Sequence, residues 1–333
     1  MKFSIIIPTY NSLKWIEESV NSVLCQSLND FELIIVDSGS TDNTLNWISL
    51  LHDKRIKIYS TDKKLSIEEN WSRIKEIPKK EFMTILGHDD ILYPDYLATM
   101  DNLINQHPDA SLYQSHFQFI DSSGKIIRSC RSMNEIETGS GFLQSVLLNK
   151  IDITGTGFMM RSKDFDLIGG VPVYPNLLFS DFQLWIEAVR IKGKVAISKE
   201  TTFAYRRHAS VAGTSDDKIY ANAFKQFIRY LLKLKSEDKK MANIINDNGI
   251  EFINNFCRGT VHRMLRVSFN QRRSVNDFID ICKNCADELI PGNDYHPEKT
   301  FSIRLAKIID SNALTRSLFL NFKKIYKTPV LNG

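Results

Sequence analysis

The sequence predicts an α/β fold, a mixed sheet flanked by helices, followed by a helical C-terminal region, and three observations predict it. Four strand-like apolar runs, Phe3 to Ile7, Phe31 to Val36, Ile56 to Tyr59 and Phe82 to Leu86, alternate with stretches of helical period, which is the pattern of a parallel sheet covered on both faces. From about Ile219 onward helical spacing dominates, as in Phe224, Phe227, Ile228, Leu231 and Leu232. The charge changes sign at the same place: residues 219–333 hold 19 Lys and Arg against 11 Asp and Glu, and residues 1–218 hold 24 against 28.

Each element has its local reason. Leu13, Ile16, Val20, Val23 and Leu24 recur every three or four residues and build the apolar face of a first helix. Ser66 and Glu69 have capping-box spacing, which puts Asn70 and Trp71 just inside another. Leu112 to Ile120 and Lys125 to Ile127 bracket the turn Asp121-Ser122-Ser123-Gly124 and read as a hairpin. A turn cluster at Gly213-Thr214-Ser215-Asp216-Asp217 divides the chain into residues 1–215 and a basic helical region, 216–333.

The chemistry-bearing feature is the pair Asp89-Asp90, which follows the fourth strand and Gly87. Ligands of open α/β sheets collect beyond such carboxyl ends. Two hard carboxylates there suit Mg2+ or Mn2+, above all when a phosphorylated substrate completes the coordination. The same two residues also make an ordinary turn into a helix opened by Pro94. Neither a GxGxxG nor a P-loop lysine follows the first strand, so the phosphate cradles of dinucleotide enzymes and P-loop kinases are missing.

Composition narrows the class further. Hydrophobic residues at 43% and charged residues at 25% are globular values. Five scattered cysteines, an odd number, argue for a reducing compartment rather than a disulfide framework. Cys282 and Cys285 form a CxxC, but with Phe278, Ile281 and Leu289 they fit one face of a helix, so packed thiols are favoured over a zinc or redox site. No leader-like stretch opens the chain and no run approaches 18 apolar residues, which together predict a cytoplasmic protein. The basic C-terminal region reads either as a solvated helical surface or as a face for an anionic membrane, a pyrophosphate-linked acceptor or a second copy.

Taken in order, Ile5-Ile6-Ile7-Pro8-Thr9-Tyr10-Asn11, Ser22-Val23-Leu24-Cys25-Gln26-Ser27, Phe31 through Asp42 with its Val36-Asp37-Ser38-Gly39-Ser40 core, and Gly87-His88-Asp89-Asp90 resemble the family 2 glycosyltransferases of the GT-A fold over residues 1 to 215. The resemblance implies an inverting, metal-dependent enzyme of bacterial surface-polysaccharide type. Its donor would be a nucleoside-diphosphate sugar, UDP favoured, and its acceptor a glycan or a lipid-linked oligosaccharide. The loop Pro8-Thr9-Tyr10 and the strand-end Asp37 would hold the nucleotide, Tyr10 by stacking and Thr9 and Asp37 by hydrogen bonds, with Lys64 and Asn70 lining the same site. Many relatives carry a second acid where this chain has Ser38, which loosens the choice of base. Asp42 is better explained as a helix-start residue. Asp90 would hold Mn2+ or Mg2+, with Asp89 on the ribose or aiding the metal and His208 as a further ligand. Within Ser180-Asp181-Phe182-Gln183-Leu184-Trp185, Asp181 would be the general base, and it also has the position of a cap for a helix burying Phe182, Trp185 and Val189. Arg206 or Arg207 would clamp phosphate, and the glycines of Gly155-Thr156-Gly157 and Gly169-Gly170 would let backbone approach a sugar.

Three other readings compete. A sugar nucleotidyltransferase needs a basic Gly-rich loop that Pro8 to Asn11 does not supply. A catalytically silent sugar-nucleotide-binding partner would have no use for both Asp90 and Asp181. Nucleic-acid binding is disfavoured because the basic residues avoid the sheet region.

Overall fold

The computed structural model describes residues 1–208, 217–266 and 274–325. They fall into two units, Met1–Phe142 with Ile151–Arg207, and Leu143–Lys150 with His208–Gly333. The expected boundary cluster, from Gly213 to Asp216, lies outside the described residues.

The first unit is built on β1 (Phe3–Thr9), β2 (Phe31–Asp37), β3 (Ile56–Tyr59) and β4 (Phe82–Ile85), all parallel. Every residue of β1, β2 and β4 is buried, as expected of parallel strands covered on both faces. Pro8 sits inside β1 at no cost to the ladder, because the register with β4 ends at Ile6 and Ile85. The helices α1 (Ile16–Leu24), α2 (Thr44–Ser49) and α3 (Ile67–Ser72) follow in the crossovers. Leu13, expected on the first apolar face, precedes α1 and is exposed, while Ile16, Val20 and Val23 are buried. At α3 the capping box is complete: Ser66 Oγ accepts from the Glu69 N–H, and the Glu69 carboxylate accepts from the Ser66 N–H at 2.7 Å.

Beyond β4 the sheet turns mixed. In chain order come β5 (Ile91–Leu92), α4 (Tyr96–Gln106), β6 (Leu112–Ile120), β7 (Ile126–Ser129), β8 (Ile136–Thr138), α5 (Gly139–Leu147), β9 (Met159–Arg161), α6 (Ser162–Leu167), α7 (Ser180–Lys192) and β10 (Lys194–Arg206). The strand order is β3-β2-β1-β4-β9-β6-β10-β5, with β7 beside β6 and β8 beside β10. The hairpin of β6 and β7 is antiparallel, as its turn signature predicts. Register shifts between Ser198 and Phe203 break the long strand β10, so its start pairs with β8 and its end with β5.

The second unit contains α8 (Asp217–Glu237), α9 (Lys239–Met264), α10 (Val275–Leu289), α11 (Phe301–Asp310) and α12 (Ala313–Ile325). Its core holds Phe224, Phe227 and Leu231 of α8, with Phe224 stacked on Phe256 at 4.1 Å. Cys257, Cys282 and Cys285 are buried free thiols, and burial pushes Cys285 up to about 11. All three are packing residues, and burial holds Cys282 and Cys285 away from the thiolate form that binds metal or reacts. On that helix Ile279, rather than Ile281, joins the buried face. Among the described residues no helix is long and apolar enough to cross a membrane.

Candidate active site

The carboxyl ends of β1, β2 and β4, the start of α7 and the end of β10 place the predicted residues within the first unit, His208 excepted. The loops after β1 and β2 are clasped together. Asn11, with a left-handed φ of 46°, accepts from the Thr41 N–H at 2.8 Å and donates its own N–H to Ser40 Oγ at 2.9 Å. Asp42 accepts from the N–H groups of Leu13 and Thr44, which is the helix-start role expected of it. Ser38 ties in a third loop: its hydroxyl donates to the Leu65 carbonyl and accepts the Leu65 N–H at 2.8 Å. Gly39 is needed beside it, because a Cβ there would lie 2.8 Å from the Lys63 backbone and its φ is +72°.

Several expected donor contacts are spent inside this clasp. Thr9 is buried and donates to Ser12 Oγ at 2.6 Å. Asp37 is fully buried and accepts from both the N–H and the hydroxyl of Ser40, which makes it the organiser of the 38–40 turn. Asn70 donates to the Val36 carbonyl at 2.9 Å and accepts from Arg73, whose guanidinium also reaches the carbonyls of Asp37 and Tyr59. These three hold the loops, and the sequence offered no means to separate holding from contacting. Two donor-side residues remain on the half-open surface: Tyr10, and Lys64, whose Nζ lies 4.6 Å from the centre of the Tyr10 ring.

The acid pair is asymmetric. Asp90 is 2% exposed. Its Oδ1 accepts the Arg206 N–H at 2.8 Å and its Oδ2 accepts the Thr156 hydroxyl at 2.7 Å. Burial first, and the neighbouring Asp89 charge second, push the Asp90 carboxyl well above the usual range. Asp89 is only half-buried. A Cβ on Gly87 would meet Asp90 Oδ2 at 2.6 Å and Asp89 Oδ1 at 2.7 Å, so that glycine is what lets the two carboxylates close over the strand end. Two like charges so placed, one of them partly open, fit a divalent cation whose other ligands come from a bound diphosphate. Among the described residues no group of three His, Cys, Asp or Glu side chains stands ready as a metal site. His208 is the first residue of its stretch of the second unit and adjoins residues 209–216, outside the described ones.

Arg206 does not serve as a free phosphate clamp. It is buried, and its guanidinium donates to the Asp89 carbonyl at 2.7 Å, the Asp121 carbonyl at 3.2 Å and the Glu18 carboxylate at 2.5 Å. Arg207 is exposed and lies 5.5 Å over the Phe119 ring. Nor does Gly157 approach a sugar: its φ is +81° and a Cβ would sit 2.7 Å from the Phe203 ring. Gly155 does face the site, with Asp181 Cβ and the Trp71 ring 3.9 and 4.0 Å from where its own Cβ would be.

Asp181 lies in the first turn of α7. Trp185 anchors that helix, donating from its indole to the Thr154 carbonyl at 2.8 Å and stacking on Phe158 at 4.7 Å. Phe182 is half-buried against Phe179 rather than in the core. Burial raises the Asp181 carboxyl to about 6, against the pull of the Phe182 N–H at 2.9 Å. The approach to α7 is strained, with Asn176, Leu177 and Phe179 all left-handed at φ 54°, 56° and 69°. Glu68 of α3 holds this segment through the Asn176 N–H at 2.6 Å. Tyr205 collects the three acids: after burial, the charges of Asp90, Asp89 and Asp181 all raise its hydroxyl. Tyr205, Arg206 and Thr156 belonged to recognisable segments and Trp71 to a capped helix, but nothing in the sequence singled out Glu18.

The chain is similar to several known proteins. An uncharacterized glycosyltransferase of Rickettsia felis is 27% identical over 194 residues, 56% of this chain and 31% of the relative, so the chain spans about a third of that protein's length. A Haemophilus influenzae uncharacterized glycosyltransferase is 24% identical over 261 residues, 73% of this chain and 78% of the relative. In three dimensions, S. aureus TarS 1–349 in complex with UDP-GlcNAc matches with a TM-score of 0.61 at 16% identity, covering 87% of this chain and 90% of that one. That likeness shows a shared GT-A-like fold, a mixed sheet with a helical C-terminal region. Residues 4–169 match the model of glycosyl transferase family 2, and the chain belongs to that family.

Proposed function

We propose that the protein transfers a sugar from a nucleoside-diphosphate sugar, a UDP-sugar by preference, to a hydroxyl of a growing glycan, with inversion at the anomeric carbon. The observation that carries this reading is the convergence of Asp90 and Asp181 on residues 155 and 156: Thr156 donates to Asp90 Oδ2 at 2.7 Å and Asp181 Cβ lies 3.9 Å from where a Gly155 Cβ would be, with Asp181 raised to about 6. A carboxyl in that range is ionised at neutral pH yet basic enough to take the proton of an attacking sugar hydroxyl. A base that deprotonates the acceptor hydroxyl as it attacks corresponds to a single displacement.

Tyr10 and Lys64 are assigned to the nucleotide, the ring offering a stacking face and the ammonium a charge for phosphate. Asp89, with buried Asp90 behind it, is assigned to Mn2+ or Mg2+. Bound there, the cation would neutralise charge on the departing diphosphate. The UDP-GlcNAc complex of TarS supports a UDP-sugar donor. A lipid-linked acceptor at the inner face of the cell membrane agrees with the basic C-terminal region.

The test is nucleotide release by slow hydrolysis of UDP-, GDP-, TDP- and CMP-sugars, with Mn2+ or with EDTA. Metal-dependent release from one donor is the expected result. Tight UDP binding with no release in the presence of acceptor glycans would overturn it in favour of a silent binding partner.

A further inference from the structure

The C-terminal helices leave a broad apolar face outside the core. On α11, Ile303, Ala306 and Asp310 point inward, while Phe301, Leu305 and Ile308 are 69%, 39% and 57% exposed on the opposite stripe. On α12 the inward residue is Arg316, and Leu314, Leu318 and Phe322 are 69%, 61% and 53% exposed at spacings of four. Six large apolar side chains presented by two consecutive helices exceed the scattered exposure of ordinary surfaces.

Among the described residues of α11 and α12 the exposed charges have one sign. Arg304 stands within the α11 stripe, Lys307 beside it, and Lys323 follows Phe322. The two acids of the stretch are engaged elsewhere: Asp310 is buried, pairing with Arg316 and accepting the Val275 N–H at 2.9 Å, and Glu298 pairs with Lys283. A two-fold contact between copies would set these cations against themselves. An anionic bilayer surface accepts both parts of the pattern, apolar side chains into the acyl boundary and cations among the headgroups.

We propose that the exposed stripes of α11 and α12 form an in-plane docking face for anionic phospholipid. This names the surface behind the membrane part of the reading above and does not depend on the donor chemistry. Flotation of the full chain with phosphatidylcholine vesicles, with and without about 30% phosphatidylglycerol, tests it. The wild type should float with the anionic vesicles at least tenfold more than with neutral ones. The triple variant Leu314→Ser/Leu318→Ser/Phe322→Ser should lose that partition, and Arg304→Gln/Lys307→Gln should lower it several-fold and flatten its salt dependence. Both variants should keep the wild-type thermal melt and donor hydrolysis. A folded triple variant that floats like wild type overturns the proposal, as does a wild type that stays in solution. Light scattering that finds a wild-type dimer broken by the triple variant, with no flotation, assigns the face to a second copy instead. Should the triple variant not fold, Leu318→Ser alone carries the same comparison, expected at a threefold loss or more.

Discussion

Thr156 donates its hydroxyl to Asp90 Oδ2 at 2.7 Å, and this one bond gives two adjacent carboxylates different work. With the Arg206 N–H on its other oxygen, Asp90 is fastened between the approach to β9 and the end of β10. Asp89 is the more exposed of the two, half-buried where Asp90 is buried.

Replacing the two acids separates these roles. Asn at position 90 can offer its carbonyl to the Arg206 N–H and its amide to the Thr156 oxygen, so Asp90→Asn should change Mn2+-dependent donor affinity less than threefold. Asp89→Asn should weaken it tenfold or more. Calorimetric titration of UDP with and without Mn2+ checks both, and equal losses would contradict the asymmetry.

Asp181→Asn should lower kcat by about 10² to 10⁴ while UDP affinity stays within twofold. Because the ionised carboxyl is the active form, the wild-type kcat should fall tenfold per pH unit below about 6. An acid limb displaced to pH 4 would show that burial does not tune this group.

The same substitution should stabilise the fold at alkaline pH. A carboxyl whose folded value is raised contributes favourably below its unfolded value near 4 and loses that contribution as pH climbs through about 6. At pH 8 the native state carries a disfavoured charge that Asn removes, a gain on the order of 2 kcal/mol. Urea midpoints at pH 8 and pH 3 should differ accordingly, with no gain at pH 3.

Arg206→Lys should destabilise the sheet unit by about 3 kcal/mol. An ammonium cannot span the carbonyls of Asp89 and Asp121 and the Glu18 carboxylate together. Urea unfolding of the variant would show the loss, and a midpoint unchanged from wild type would remove Arg206 from the centre of the site's support.

Ser38→Ala should raise the donor KM several-fold at constant kcat. It removes both bonds to Leu65 and so loosens the loop that carries Lys64 to Tyr10. Steady-state kinetics with a soluble acceptor distinguish this from a loss in kcat.

Most of the scaffold was legible in the sequence, because its signals are local. The β1, β2 and β4 runs are mostly apolar, Ser66 and Glu69 cap within one turn, and the Asp121 turn closes a hairpin. Asp89, Asp90 and Asp181 stood out in the sequence as well, because they follow a strand run or open a helix. What each does was not. Thr9, Asp37, Asn70 and Arg206 have the chemistry of ligand contacts, yet their hydrogen bonds are satisfied by Ser12, Ser40, Val36 and Asp89. Such partners lie 3 to 117 positions away, and only the folded arrangement reveals that a polar group is already spent. Glu18 shows the converse, an unremarkable acid on a surface helix that becomes a partner of Arg206 188 positions later.

The left-handed run before Asp181 has a consequence for anyone who would redesign this enzyme. Glycine at Leu177 would relieve about 1 kcal/mol of backbone strain and would lose a similar amount to the greater freedom of the unfolded chain. The two nearly cancel, so a stability screen is almost blind at that position. Substitution at Leu177 would therefore report chiefly on how the segment aims Asp181, the proposed base, at an acceptor, with little interference from folding.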